Sequence, residues 1–325
     1  DMTIVLSDEK ALTMEQGLAD TLDSSSAVHS WGAFYTKSTT LYNEEGGSAD
    51  VSIVGAEDDA RMTEYFTFRT RVGHDPIPFE EDSVILTEKT ALNLELSVGD
   101  TFYVEAADGS RVPLVLTGIT ENYMFTRLYL SNAQLQALLG NTPEWNTVYG
   151  LTGCTTEAEY NALRTKLLGC NYVSSVSFTE DTTSMFGSLI GSLNYVVVLI
   201  IVCAAALAAV VLYNLISVNL AERKKELATI KVLGFYDKEV YRYIFREIEL
   251  LSLIGSGVGL LLGVPLHRFI ILTVEMDQLM FIRTIAPRSY LLAVALTMLF
   301  TFVVCFAMRR HVRHISMVES MKAPE

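Results

Sequence analysis

Three uncharged apolar runs in the second half of the chain leave few folds open to it. Tyr195–Leu215 is 21 residues without a charged side chain, enough at ~1.5 Å per residue to cross a hydrocarbon layer roughly 30 Å thick. Leu250–Leu266 adds a run of 17, extended by a helical lead-in from Lys238, and Tyr290–Met308 a run of 19. In lipid the backbone satisfies its own polar groups only as helices or closed barrels. Residues 181–325 are therefore expected to form an α-helical bundle of three transmembrane helices, with spans at 195–215, 250–266 and 290–308.

Charge separates this half from the rest. Residues 1–190 hold 10 Lys and Arg against 28 Asp and Glu, whereas residues 191–325 hold 14 against 10. An acidic, water-facing half thus precedes a mildly basic membrane half. The acidity excludes nucleic acid as a partner, since phosphates would be repelled. Basic residues near span ends set orientation. Residues 220–247 carry seven and the C-terminal tail four, against Arg268, Arg283 and Arg288 on the other side. The 221–236 segment and the C-terminus are thus expected in the cytoplasm and residues 1–190 outside. The chain begins Asp1-Met2, without a charged-then-apolar signal. An outside domain of that size needs a signal or an upstream span, so the sequence is expected to be a piece of a longer protein.

The acidic half (1–180) reads as α+β. Strands are expected at Thr3–Leu6, Val28–Leu41, Val51–Val54, Val84–Leu86, Val148–Leu151 and Val173–Phe178. A hairpin joins Thr101–Ala106 to Val112–Ile119 around Asp108-Gly109. Helices are expected after Thr13-Met14-Glu15-Gln16, over Glu88–Leu94, after Ser131 and after Thr156, three of them with capping-box spacing. Residues 57–82 read as a connector. Strand–helix–strand at each end with a strand-rich middle predicts two interleaved lobes. Cys154 and Cys170 flank the Thr156–Leu168 helix, roughly 18 Å apart along its axis, beyond the ~7 Å between Cα atoms that a disulfide spans.

The most informative stretch is Ala221–Phe235, with four basic residues in fifteen positions between two spans. At helical spacing Leu227, Ile230 and Leu233 share one side, Gly234 offers a stop and Asp237 a cap for the next helix. Such an amphipathic helix lies on the bilayer or presses into a partner's groove. In the second span Gly255, Gly259 and Gly263 have small-xxx-small spacing, which lets helix backbones approach closely.

Enzyme chemistry has no visible basis. There is no P-loop, no G-x-S-x-G elbow and no H-E-x-x-H helix. His29, His74 and His267 are isolated, His311 and His314 sit among arginines at a membrane edge, and the clusters Glu57-Asp58-Asp59 and Glu80-Glu81-Asp82 read as solvated faces. Neither a cofactor nor a bound metal is expected.

Taken together, Tyr213-Asn214-Leu215, the stretch from Ala221 to Ala228, Lys231-Val232-Leu233-Gly234-Phe235, the glycine-rich span and Val318-Glu319-Ser320-Met321-Lys322 resemble the FtsX-like, MacB-type permease family of ABC transporters. In the first half, Leu94 to Val98-Gly99-Asp100, the Asp108-Gly109 hairpin and Leu116-Thr117-Gly118-Ile119 are similar to the MacB-type extracytoplasmic domain. Family members carry four spans, so the resemblance implies that the first is absent here. It implies a non-enzymatic permease of the bacterial plasma membrane, working as a homodimer or pseudo-dimer with separate ATPase subunits. Glu226, Leu227, Ile230, Lys231, Leu233, Gly234 and Phe235 would form the ATPase-docking contact, and the spans would carry motion to an outside domain that handles a lipid, lipoprotein or peptide. The alternative it allows is a non-transporting regulator acting on an extracellular hydrolase or sensor.

Overall fold

The computed structural model describes residues 1–7, 16–106, 109–223, 226, 229–230, 233–275, 280–281 and 284–312. The chain packs as two units, Asp1–Gly187 with Glu275–Phe281, and Ser188–Val274 with Ile282–Glu325. The boundary expected at 180 falls inside a helix that belongs to both, Thr179–Glu222.

The first unit is built on one mixed sheet of ten strands: β1 (Met2–Leu6), β2 (Val28–Tyr42), β3 (Ser48–Ala56), β4 (Val84–Thr87), β5 (Thr101–Glu105), β6 (Arg111–Val115), β7 (Gly118–Thr120), β8 (Arg127–Leu130), β9 (Thr147–Thr152) and β10 (Val173–Phe178). Its main path runs β10-β1-β9-β2-β3-β8-β4-β7, with the β5–β6 hairpin attached to β2. The 15-residue β2 joins the two halves, pairing β9 along Val28–Phe34 and β3 along Phe34–Tyr42. The two lobes expected from the sequence are thus two ends of one sheet.

Alternation along the strands explains why the sheet is covered on both faces. Val51, Ile53, Leu86, Leu128 and Leu130 turn to one core, which the hairpin and helices α3 (Glu88–Asn93) and α4 (Asn132–Leu139) close. Their neighbours Val54, Ala56, Ile85 and Tyr129 turn to the other, where Phe34 meets Tyr65, Phe66 and Tyr149 edge-on at 5.0–5.8 Å. A further core at the β10-β1-β9 end buries Ile4, Val148 and Phe178 beneath α1 (Gln16–Asp23) and α5 (Glu157–Leu168). Cys154 and Cys170 both pack against it as free thiols.

Helix caps follow the sequence closely. Thr156 and Glu159 form a reciprocal capping box on α5, and Ser131 Oγ accepts the Gln134 N–H at the start of α4. Of the capping spacing at Thr13, only Gln16 is described.

Three expectations are corrected. The connector at 57–82 contains α2 (Asp59–Tyr65), whose Asp58 side chain accepts the Ala60 N–H and whose Met62 is fully buried. Asp59 also accepts the Asn132 N–H at 2.8 Å, so this one member of the acidic cluster joins two helices, while Glu57 and Asp58 are exposed. The strand expected over Val112–Ile119 divides, because Thr117 Oγ1 bonds the backbone of Val84 and Gly118–Thr120 then runs parallel to β4. Strand β8 was not anticipated at all: one face carries Leu128 and Leu130 and the other Arg127 and Tyr129, a pattern too short to register as alternation. At the hairpin Gly109 turns with φ +81, and Asp108 lies outside the described residues.

The second unit contains α6 (Thr179–Glu222), α7 (Asp237–Val274) and α8 (Pro287–Val312). Each holds a stretch long and apolar enough to cross a membrane: Asn194–Asn219, Phe245–Val274 and Pro287–Met308. Ile216, Val240, Ile248, Cys305 and Met308 form a buried cluster joining all three helices.

Candidate coupling segment

The turn between α6 and α7 is fixed by backbone chemistry at both ends. Beyond α6 the Arg223 N–H still donates to Asn219 O at 3.1 Å. Further on, the Leu233 N–H donates to Thr229 O at 3.0 Å and the Phe235 N–H to Ile230 O at 3.4 Å, with Gly234 between them at φ +95. A bond from the second residue past the helix back to the fifth before it, over a left-handed glycine, is a Schellman closure. It satisfies a terminal carbonyl and reverses the chain within two residues.

The next helix starts immediately. The Tyr236 N–H donates to Glu239 Oε2 at 3.0 Å and the Glu239 N–H returns to Tyr236 O at 2.9 Å. The cap expected from Asp237 is thus supplied one residue earlier, by a glutamate reaching back from the third helical position. The signal was present in the sequence as an aromatic followed three positions later by Glu.

Between these closures the side chains divide. Ile230 is half-buried against the cluster around Ile216, Val240 and Met308. Leu233, Phe235 and Tyr236 stand out at 72%, 53% and 77% exposure, and Glu226 is exposed as well. Of the expected docking set, Leu227 and Lys231 lie outside the described residues, as do Lys224 and Lys225. Arg223 is tied by both guanidinium prongs to Glu247 on α7, at 2.9 and 3.1 Å. Tyr236 and this fork were not anticipated.

The glycines of α7 occupy a different place. Gly255, Gly259 and Gly263 line an apolar groove of about 740 Å³ together with Ala204 and Ala208 of α6 and Ala293 of α8. A Cβ added at any of the three would meet nothing within 4 Å. Within this chain, therefore, they do not mediate the close helix contact their spacing predicts. Among the described residues, no three His, Cys, Asp or Glu side chains gather where they could hold a metal ion.

The first half is similar to the periplasmic region of MacB from Actinobacillus actinomycetemcomitans, at 13% identity over 57% of this chain and 92% of that one, with a TM-score of 0.35. It is similar also to the extracellular domain of the noncanonic ABC-type transporter YknZ from Gram-positive bacteria, at 14% identity over 55% and 98%, with a TM-score of 0.34. No curated protein matches the chain significantly. The family model described as FtsX-like permease C-terminal matches residues 198–317, a range that takes in the turn just described and nearly all of the three candidate spans. On that match residues 198–317 are similar to the C-terminal domain of FtsX-like permeases.

Proposed function

We propose that this permease transmits the motion of a separate ABC ATPase through its spans to a domain outside the membrane, and that the ATPase grips the turn at Leu233–Tyr236. The observation that carries the proposal is the combination of exposure and rigidity there. Three large side chains are left uncovered by the chain within four residues, on a turn held by a glycine closure, a glutamate cap and an arginine–glutamate fork. A solvated loop has no need of such bracing. A surface that receives force does, because slack in it would absorb the stroke.

Orientation supports the same reading. Eleven basic residues flank the spans on the side of the turn and tail against three on the other, which favours a cytoplasmic turn and residues 1–187 outside the plasma membrane of a bacterium. The unpartnered glycine stripe of Gly255, Gly259 and Gly263 fits the contact face for another helix, in keeping with a homodimer or pseudo-dimer of permease modules. The outer domain would then handle a lipid, lipoprotein or peptide.

The decisive experiment is affinity purification of the intact protein from its native membrane. Phe235→Asp should reduce recovery of an ATPase roughly 30-fold, as expected for the loss of an anchor worth about 2 kcal/mol, while membrane insertion is unchanged. Equal recovery from both proteins would remove the docking surface from this turn.

A further inference from the structure

We infer that Glu275, the residue that follows α7, is latched to α3 by a buried ion pair, and that this latch is a second route by which movement of the spans reaches the outer domain. The first route is α6, which continues without a linker from β10. That the spans move under an ATPase rests on the function proposed above; the latch itself rests on contacts alone.

Helix α7 ends at Val274, and the next residue, Glu275, already belongs to the first unit. Its side chain is 1% exposed, and Oε2 accepts from Lys89 Nζ at 2.9 Å, with Lys89 13% exposed. The other oxygen, Oε1, accepts the Phe281 N–H at 3.1 Å, so one carboxylate closes its own segment and binds it to α3. Met280, 4% exposed, donates its N–H to the carbonyl of Tyr123 at 3.0 Å. Glu275 and Met280 are thus held at two points, one on α3 and one at Tyr123 between β7 and β8.

The seat does not give. Thr90 and Ala91 of α3 are buried, Thr87 and Thr90 share a hydroxyl bond at 3.1 Å, and Glu88 next to Lys89 takes both prongs of Arg71. On the other side no free residue separates Glu275 from the end of the 38-residue α7. Movement along that helix therefore arrives directly at the ion pair. A well-packed apolar pair would hold such a joint as firmly. The charge pair adds specificity, because separating it would leave a buried carboxylate without its lysine.

The test uses the full chain in lipid nanodiscs, alone and with whatever ATPase copurifies, and reads amide hydrogen exchange. Lys89→Glu and Glu275→Lys should each speed exchange at the Met280 and Phe281 amides on the order of 10- to 100-fold, and the double exchange K89E/E275K should return most of that protection. Glu275→Gln, which keeps the shape, guards against simple unfolding and should loosen the same two amides less. With the ATPase bound, ATP should alter exchange around Tyr123 in the native protein, and Glu275→Lys should abolish that response while the ATPase still copurifies. Unchanged exchange in the single variants, or no rescue by the double, overturns the latch. Loosened amides with an intact response to ATP overturn its role in transmission. If no ATPase binds the native chain, the coupling proposal fails while the exchange data still judge the latch.

Discussion

The guanidinium of Arg223 and the carboxylate of Glu247 meet as a two-pronged fork, Nη1 to Oε2 at 2.9 Å and Nη2 to Oε1 at 3.1 Å, across the turn from α6 into α7. Both side chains are more than a third exposed, so the pair contributes at most about 1 kcal/mol to stability. Its effect is geometric: it fixes the spacing of two helices just behind the exposed apolar turn. Arg223→Ala should leave thermal unfolding in detergent nearly unchanged yet weaken ATPase recovery several-fold. Arg223→Lys, which keeps the charge but not the fork, should lie between. A large loss of stability with full recovery would contradict this division.

Gly234 should be the least replaceable residue of the turn. A Cβ there meets no atom within 4 Å, so the cost of substitution is entirely that of φ +95. Gly234→Ala should cost roughly 1–2 kcal/mol, and Gly234→Asn less, since asparagine tolerates the left-handed region. Chemical denaturation of the full chain, followed by circular dichroism, compares the two.

The glycine stripe in α7 yields a test of assembly rather than of folding. Since Gly259 opens onto empty space in this chain, Gly259→Leu should leave monomer stability within about 0.5 kcal/mol. If another helix packs there, the same substitution should shift the protein from dimer to monomer in mild detergent, as read by light scattering. An unaltered dimer would place the contact elsewhere.

Acid should weaken the first unit through two carboxylates. Backbone N–H groups of Thr155 and Thr156, at 2.8 and 3.1 Å, hold the Glu159 carboxyl below its usual range. For Asp181 desolvation pushes the other way, but the Arg164 guanidinium and the Phe178 N–H together leave it lowered. A carboxyl with a depressed folded pKa contributes stability above its unfolded value of about 4, and that stability is lost as pH falls through the folded value. Urea midpoints measured from pH 7 down to pH 3 should therefore fall more steeply for the native protein than for Glu159→Gln or Asp181→Asn. Thr156→Ala, which removes the other half of the cap, should cost about 1 kcal/mol at neutral pH.

The readable parts of this chain are those set by neighbours in sequence. Spans announce themselves through length and lack of charge, and α5 and α4 through Thr156, Glu159 and Ser131, because a cap is satisfied within one turn. The glycine stop at Gly234 was legible for the same reason. What escaped was long-range. Strand β8 exists because Val54 and Ile85 offer it parallel and antiparallel partners on either side, which nothing in Arg127–Leu130 reveals. Helix α2 is held by the Asp59–Asn132 bond between residues 73 apart, and Glu275 finds Lys89 across 186.

Sequence alone determined that this chain crosses a membrane with an acidic mixed domain ahead of it, since hydropathy, charge and capping are properties of short stretches. Only the tertiary structure decided that Arg223 is clamped to Glu247, that Gly255, Gly259 and Gly263 face open space, and that Glu275 is built into the first unit. Each of those depends on which distant atoms share a site, and burial and pairing are settled in space rather than along the chain.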